Sequence, residues 1–226
     1  FLSEFIFFIL ISQLLGIMLG VTVLPFATDG LHQGLKRLRE SAKKHSIDIR
    51  LVGVQNRHSK KRFSWQHKLN TTAQALRQLR GNDLVLVCDG YDVRFLGGAR
   101  EIEEGYNTLA PDRDKIVVCG ERVYAHHHSA ITAEFWRSRS NSKYCYPSTC
   151  MVLAPRKLLL QLFDDCIRDC ERQHHHQHQH HRCGPKPKLA CDQSILTDWI
   201  AQHRDKCIID TQARLFWSTR GEHRKF

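Results

Sequence analysis

The sequence predicts an α/β fold with a mainly parallel sheet, and three observations carry that expectation. Segments of strand pattern alternate along the chain with segments of helical period, the order that yields right-handed crossovers and parallel neighbours. The run Leu84-Val85-Leu86-Val87 is apolar at every position and bounded by Gly81-Asn82-Asp83 and Gly90, as a strand covered on both faces requires. That run leads into Cys88-Asp89-Gly90-Tyr91-Asp92-Val93, which puts two carboxylates and a tyrosine at a strand's carboxyl end. Open α/β sheets hold their ligands there. At 226 residues the chain suits one domain with a substantial core.

Taken in order, Phe5 to Gly20 is a mostly apolar run interrupted by Ser12 and Gln13. It is short of the ~20 residues that cross a bilayer, and no basic segment precedes it. A signal-peptide core, a membrane anchor and sequence read through from upstream are all open readings. Residues 1–20 are therefore set apart from a domain over 21–226. Val21 to Phe26 reads as a first strand, Thr28-Asp29-Gly30 as a turn, and Leu31 to His45 as a basic amphipathic helix. Ile47 to Val54 alternates as a second strand, followed by a polar loop through Arg57 and Lys61. A helix from Trp65 to Leu79 feeds the Leu84 strand. Beyond Asp92 come a helix over Ala99 to Tyr106, a strand from Ile116 to Cys119 ending at Gly120-Glu121, and a strand and helix within Cys150 to Cys170. A helix over Gln193 to His203 and a short strand at Phe216 complete the series.

Lys and Arg number 34 against 23 Asp and Glu, a formal charge of +11, so the surface attracts anions. Charge alone would suggest a basic nucleic-acid-binding protein. The excess is scattered or terminal, however (Lys60-Lys61-Arg62, Lys186, Lys188, Arg220, Arg224, Lys225), without the interleaved aromatics of a nucleic-acid surface. A solvated basic face and no nucleic-acid partner are expected. The nine cysteines are an odd number, which leaves at least one thiol unpaired in a monomer. Cys88 and Cys119 end strands and read as buried small hydrophobes. Cys170 and Cys183 flank a His-rich segment, 172–188, and would close it with a disulfide in an oxidising compartment. His174 to His181 lacks a second ligand set at zinc spacing and reads as a solvated loop, as does His126-His127-His128.

Asp89 and Asp92, three apart in a turn, can point at one cation, and their hard oxygens suit Mg²⁺ or Mn²⁺ over zinc. Aspartate is also simply common in turns. Tyr91 reads equally as a turn aromatic, Lys68 as a helix-surface lysine and Thr22 as a strand residue. Asp192 reads as an N-cap for the helix that follows.

The order of several short motifs adds to this. Val21-Thr22-Val23 with Ala27-Thr28-Asp29-Gly30, then Ser41-Ala42-Lys43, Lys68 and Asp89-Gly90-Tyr91-Asp92-Val93, resembles the glycosyltransferase domain of the procollagen lysyl hydroxylases. Val117-Val118-Cys119-Gly120-Glu121, Asp192-Gln193 and Ile209-Asp210 with Leu215-Phe216 and Gly221 are similar to later stretches of that family. The resemblance implies a GT-A-type, Rossmann-like nucleotide-sugar domain that uses Mn²⁺ and a UDP-sugar, UDP-glucose or UDP-galactose. The acceptor would be a protein or glycan, in the lumen of the endoplasmic reticulum or Golgi. It further implies that Asp89 and Asp92 ligate the metal, that Tyr91 stacks on uracil, that Thr22 and Val23 line the nucleoside pocket, and that Lys68 lies near the donor phosphates. Glu121 and Asp192 would be the catalytic-site acids facing the acceptor.

The chain departs from the family pattern in places. Arg122-Val123-Tyr124 stands where the family has Cys-Trp-Pro, Pro147-Ser148-Thr149 stands for its Asn-Ser-Gly turn, and Cys191 for the first acid of its Asp-Asp-Gln. The sequence ends at Phe226, ahead of the His-Gly-Asn-Gly-like segment that carries the family's third metal ligand, so a domain truncated at its C-terminus is expected. A non-catalytic module binding nucleotide, glycan or protein is the alternative these departures suggest.

Overall fold

The computed structural model describes residues 20–54, 64–125, 129, 131–180 and 191–219, with only the backbone over 173–180. The elements are β1 (Thr22–Phe26), α1 (Gln33–Lys44), α2 (Trp65–Gln78), β2 (Leu84–Asp89), α3 (Ala99–Leu109), β3 (Ile116–Glu121), α4 (Ala133–Arg137), β4 (Tyr146–Pro155), α5 (Arg156–His180), α6 (Asp192–Gln202) and β5 (Cys207–Asp210). The five strands form one sheet in the order β1-β2-β4-β3-β5. β1 pairs with β2 and β3 with β5 in parallel, while β4 runs antiparallel to both β2 and β3. The sheet is therefore mixed: β1, β2, β3 and β5 point one way and β4 opposes them. This α/β architecture is consistent with a GT-A-type fold.

Both faces of the sheet are covered, which is why its strands are apolar at successive positions. Val85, Val87, Ile116 and Val118 pack with Leu69 and Leu76 of α2, Leu162 of α5 and Ile200 of α6. Leu84, Leu86, Val117 and Cys119 face the other way, against Leu35 and Leu38 of α1 and Tyr106 of α3. Alternate residues thus enter two separate cores, and each fully buried leucine contributes about 1.5–3 kcal/mol relative to exposure. Helix starts are fixed locally: Ser64 Oγ accepts from the His67 amide at 3.1 Å, and the Glu101 carboxylate accepts from the Gly98 amide at 3.0 Å.

Four expectations change. Ile47 to Val54 does not form a full strand; it makes only isolated parallel bridges to β1, Val23 to Ile49 and Phe26 to Val52. Gly53 ends that pairing with φ of 85°, and a Cβ there would lie 2.3 Å from the Phe26 ring. The His-rich segment is helical as far as His180, not a loop. Leu159, Leu162, Phe163, Cys166 and Cys170 give α5 a continuous buried stripe, and once such a helix is nucleated, adding His and Gln turns costs little. The short helix α4 carries no strong sequence signal and was not expected. Phe216 is buried in a non-strand segment after β5.

The Cys170–Cys183 pairing and the apolar run 5–20, apart from Gly20, lie outside the described residues, as does His126-His127-His128. Cys88, Cys119, Cys145, Cys150, Cys166, Cys170, Cys191 and Cys207 are free thiols. Among the described residues, no helix is long and apolar enough to cross a membrane.

Candidate active site

The carboxyl ends of β2 and β3, the start of α2 and the start of α6 surround one cleft of about 490 Å³. Lys68, Asp89, Asp92, Glu121 and Asp192 all line it. Residues far apart in sequence meet here because the parallel strands deliver their ends to the same edge.

Lys68 lies at the centre. The Ser64 cap sets the first turn of α2 so that the Lys68 side chain passes Phe26 at the end of β1, its Nζ 5.7 Å from the ring centroid. Nζ then donates to Asp89 Oδ1 at 2.6 Å and pairs with Asp192 Oδ2 at 2.7 Å. The Lys68 side chain is 12% exposed and that of Asp192 6%, whereas Asp89 keeps 34%. Burial works to lower the Lys68 pKa, but attraction to Asp89 and Asp192 and the hydrogen bonds to both raise it above the ordinary value, so the ammonium is charged. At Asp89 burial acts the other way and is the largest influence: its pKa is raised, although Lys68 pulls it down.

Asp192 is the first residue of α6, and Cys191, not Asp192, occupies the N-cap position. Its carboxylate still profits from the helix amino terminus, but its partner is Lys68. Next to it, Gln193 fastens α6 to β4. Its Oε1 accepts from the Thr149 amide at 3.0 Å and from the Thr149 hydroxyl, and its Nε2 donates to the Pro147 carbonyl at 3.2 Å. β4 is irregular at this point. Val118 pairs with Val152 and the next β3 residue, Cys119, pairs with Ser148, leaving Thr149, Cys150 and Met151 as a bulge relative to β3. Those three residues line the cleft, in keeping with the tendency of bulges to re-aim side chains beside functional sites.

Tyr91 is held elsewhere. Its hydroxyl accepts from the backbone amides of Thr28 and Asp29 at 2.8 and 2.7 Å and lies 3.1 Å from the Thr28 hydroxyl. The ring sits 4.2 Å from that of His32. Gly34 makes this clamp possible, since a Cβ there would come within 2.0 Å of the Tyr91 carbonyl oxygen. Tyr91 thus joins the loop after β1 to the loop after β2, beside Asp92 but outside the cleft lining.

Thr22 and Val23 are not brought to the cleft. They stand at the opening of β1, paired with Val85 and Leu86, while Phe26 and Asp89 mark the end that faces the cleft. Val23 is fully buried among core residues. Glu121 is buried at 2% exposure and lines the cleft wall at the end of β3. Cys88 and Cys119 are poor nucleophiles: burial pushes the Cys88 pKa up, and a hydrogen bond with Cys150, followed by burial, does the same for Cys119.

Sequence reasoning missed Trp65, Trp217, Gln193 and the bulge. The tryptophans are 40% and 41% exposed and line the cleft from the start of α2 and from the segment after β5. A large aromatic falling off the apolar face of a helix is the signal that could have found Trp65.

Asp89 and Asp92 line the same cleft, and their hard carboxylate oxygens are of the kind that would suit a divalent cation such as Mg²⁺ or Mn²⁺. Among the described residues no group of three His, Cys, Asp or Glu side chains is placed to hold a metal by itself.

An uncharacterized protein of Acanthamoeba polyphaga mimivirus is 24% identical over 157 residues, 68% of this chain, and the chain spans 33% of that relative's length. A glycosyltransferase involved in the glycosylation of the major capsid of PBCV-1 is similar in structure, with a TM-score of 0.48 at 10% identity, covering 84% of this chain and 81% of that one. The family model described as the PLOD GT domain matches residues 18–163, well over half the sequence and including Lys68, Asp89, Asp92 and Glu121. The chain therefore belongs to the PLOD GT domain family and is a glycosyltransferase domain.

Proposed function

We propose that this domain moves a hexose from a UDP-sugar, UDP-glucose or UDP-galactose, to a protein-linked hydroxyl or sugar acceptor in the secretory lumen. The observation that carries this reading is the Asp89–Lys68–Asp192 bridge, with Asp92 and Glu121 in the same cleft. Asp89 and Asp92 would hold Mn²⁺, which supplies electrostatic neutralisation of the departing diphosphate. Lys68 provides a positive charge beside it, held in place in advance by two carboxylates. Asp192 orients an acceptor hydroxyl or stabilises positive charge developing on the sugar, with Glu121 lining the same cleft. Trp65 and Trp217 offer apolar ring faces on which a sugar packs, in a domain whose family tryptophan position is Val123. Tyr91 braces the metal-bearing turn, and its ring would be the stacking surface for the uracil.

The test is calorimetric titration of UDP with Mn²⁺ and with EDTA, followed by donor hydrolysis assays. Metal-dependent UDP binding and hydrolysis that is lost in Asp92→Ala support the reading; equal UDP affinity in EDTA sinks the metal role. A second reading, a module that binds nucleotide or glycan without turnover, is favoured by Asp89 Oδ1 being engaged by Lys68 and by the absence of a three-residue metal group among the described residues. Metal-dependent binding without any turnover would select it.

A further inference from the structure

The start of α6 is not held as the starts of α2 and α3 are. Ser64 caps α2 with its hydroxyl, and Glu101 closes the first turn of α3. Cys191 stands at the N-cap of α6 without a side-chain cap bond; its thiol meets only the Ser194 hydroxyl, at 3.2 Å. Yet Asp192, the first residue of that helix, is placed closely enough to meet Lys68 at 2.7 Å. Another contact has to fix this turn.

Gln193 fixes it through the sheet. The ladder between β2 and β4 ends where Cys88 pairs with Met151, so the β4 residues ahead of Met151 have no partner in β2. Thr149 is nonetheless 6% exposed, and buried backbone groups need a partner. The side-chain amide of Gln193 provides one: Nε2 donates to the Pro147 carbonyl at 3.2 Å, and Oε1 accepts from the Thr149 amide at 3.0 Å and from the Thr149 hydroxyl. These partners leave no freedom to flip the amide, which would set donor against donor and acceptor against acceptor. One carboxamide thus does for Pro147 and Thr149 what a peptide group of a longer β2 would do, and it is carried by the residue next to Asp192. Gln193 lines the cleft, but its amide is spent on β4.

We propose that Gln193 is a positioning residue for sugar transfer. By continuing the sheet beyond Met151 it fixes the first turn of α6, and with it the Asp192 carboxylate, against Lys68. The proposal rests on the role given to Asp192 above.

The test uses the full chain and two double-variant cycles. In the first, urea unfolding measures the coupling between Lys68→Met and Asp192→Asn, once with Gln193 intact and once in Gln193→Met. The coupling is expected to fall by at least about half when the amide is gone; equal coupling would overturn the proposal. This readout needs no turnover. In the second, Mn²⁺-dependent hydrolysis of UDP-glucose and of UDP-galactose is followed in Gln193→Met, Asp192→Asn and the pair. Gln193→Met should lower kcat about tenfold and leave KM unchanged, and the pair should be no slower than Asp192→Asn alone. A merely structural residue would slow Asp192→Asn as much as it slows the wild type, giving a loss of about a hundredfold in the pair. That result, an unchanged kcat, or an effect confined to KM would each overturn the proposal while leaving Asp192 its role. Full kcat in Asp192→Asn would remove that role, and the proposal with it. Should Gln193→Met fail to fold, Thr149→Val takes its place, since it deletes the hydroxyl's bond alone: kcat should fall about threefold, and not at all in the Asp192→Asn background.

Discussion

Asp89 and Asp210 are both aspartates at the ends of strands that point the same way in one sheet, yet they are satisfied by different means. Asp210, 1% exposed, closes β5 and receives three backbone amides, Arg214 at 3.0 Å, Leu215 at 2.7 Å and Phe216 at 2.8 Å. Asp89 closes β2, keeps a third of its side chain in solvent and meets another side chain, Lys68. The backbone amides around Asp210 cannot leave without undoing the segment they belong to. Lys68 can move by rotating about its own bonds. The difference separates a carboxylate that builds the fold from one whose partner can be exchanged for a ligand.

The largest expected effect tests the structural side. Asp210→Ala strips three amides of a charged acceptor and should cost about 3–5 kcal/mol, read as a shifted urea midpoint. Near-native stability would mean that the 214–216 segment finds other acceptors. Next comes Lys68→Met, which keeps the stem and deletes the charge. Breaking a buried pair by removing one partner costs about 3–5 kcal/mol; with Asp89 partly in solvent, about 2–3 is expected. The pH dependence has a defined sign. The folded pKa of Lys68 is raised, so its contribution is complete below the unfolded value of about 10.4 and fades as pH climbs through the folded one. Asp89, also raised in the fold, binds its proton more tightly folded than unfolded. Without Lys68 that excess grows, and the deficit of Lys68→Met should narrow as pH falls from 7 toward 4. A deficit constant across that range would remove Asp89 from the account.

Asp192→Asn has an intermediate effect and shows where the sequence and the structure part. Read as an N-cap, the position would accept asparagine with stability nearly unchanged. Cys191 holds the cap instead, and Asp192 is ion-paired with Lys68, so a loss of about 1–2 kcal/mol is expected. Sugar transfer should fall at least about tenfold, equivalent to roughly 1.4 kcal/mol of barrier. Full transfer by a folded variant would leave the residue a structural ion only. The smallest effect is that of Tyr91→Phe. Losing the hydroxyl that accepts from Thr28 and Asp29 should cost about 1 kcal/mol, while a stacked base would keep its affinity because the ring is retained. Uridine binding that drops in Tyr91→Phe by as much as in Tyr91→Ala would deny the stacking role.

The same contrast explains what was legible in the sequence. Leu84 to Val87 announced a strand because both faces are buried, and Asp89 and Asp92 announced a site because a strand end exposes them. Lys68 and Asp192 could be placed by resemblance, but not their ion pair, since the 123 intervening positions say nothing about which helix starts meet. Thr22 and Val23 were named by resemblance alone and stand at the opening of β1, away from the cleft, where the carboxyl-end rule would not have put a ligand. The direction of β4 was invisible for a related reason: an apolar strand reads the same in either direction. Trp217 depends on the segment that Asp210 organises, a contact no local pattern encodes.

That reversed strand has a practical result for anyone wishing to retarget the domain. Because β4 enters the sheet at the cleft, its irregular stretch sits between two anchored ladders, Tyr146 to Ser148 on one side and Val152 to Leu153 on the other. Register is thereby pinned on both flanks, and a residue in between can change shape without slipping the strand. Thr149 is committed to Gln193, and Met151 pairs with Cys88. Cys150, half-buried on the cleft wall, has only side-chain ties there, its thiol accepting from Ser148 Oγ at 3.0 Å and hydrogen-bonded to Cys119, so a mutational library at this position would vary the cavity at the cost of those two contacts.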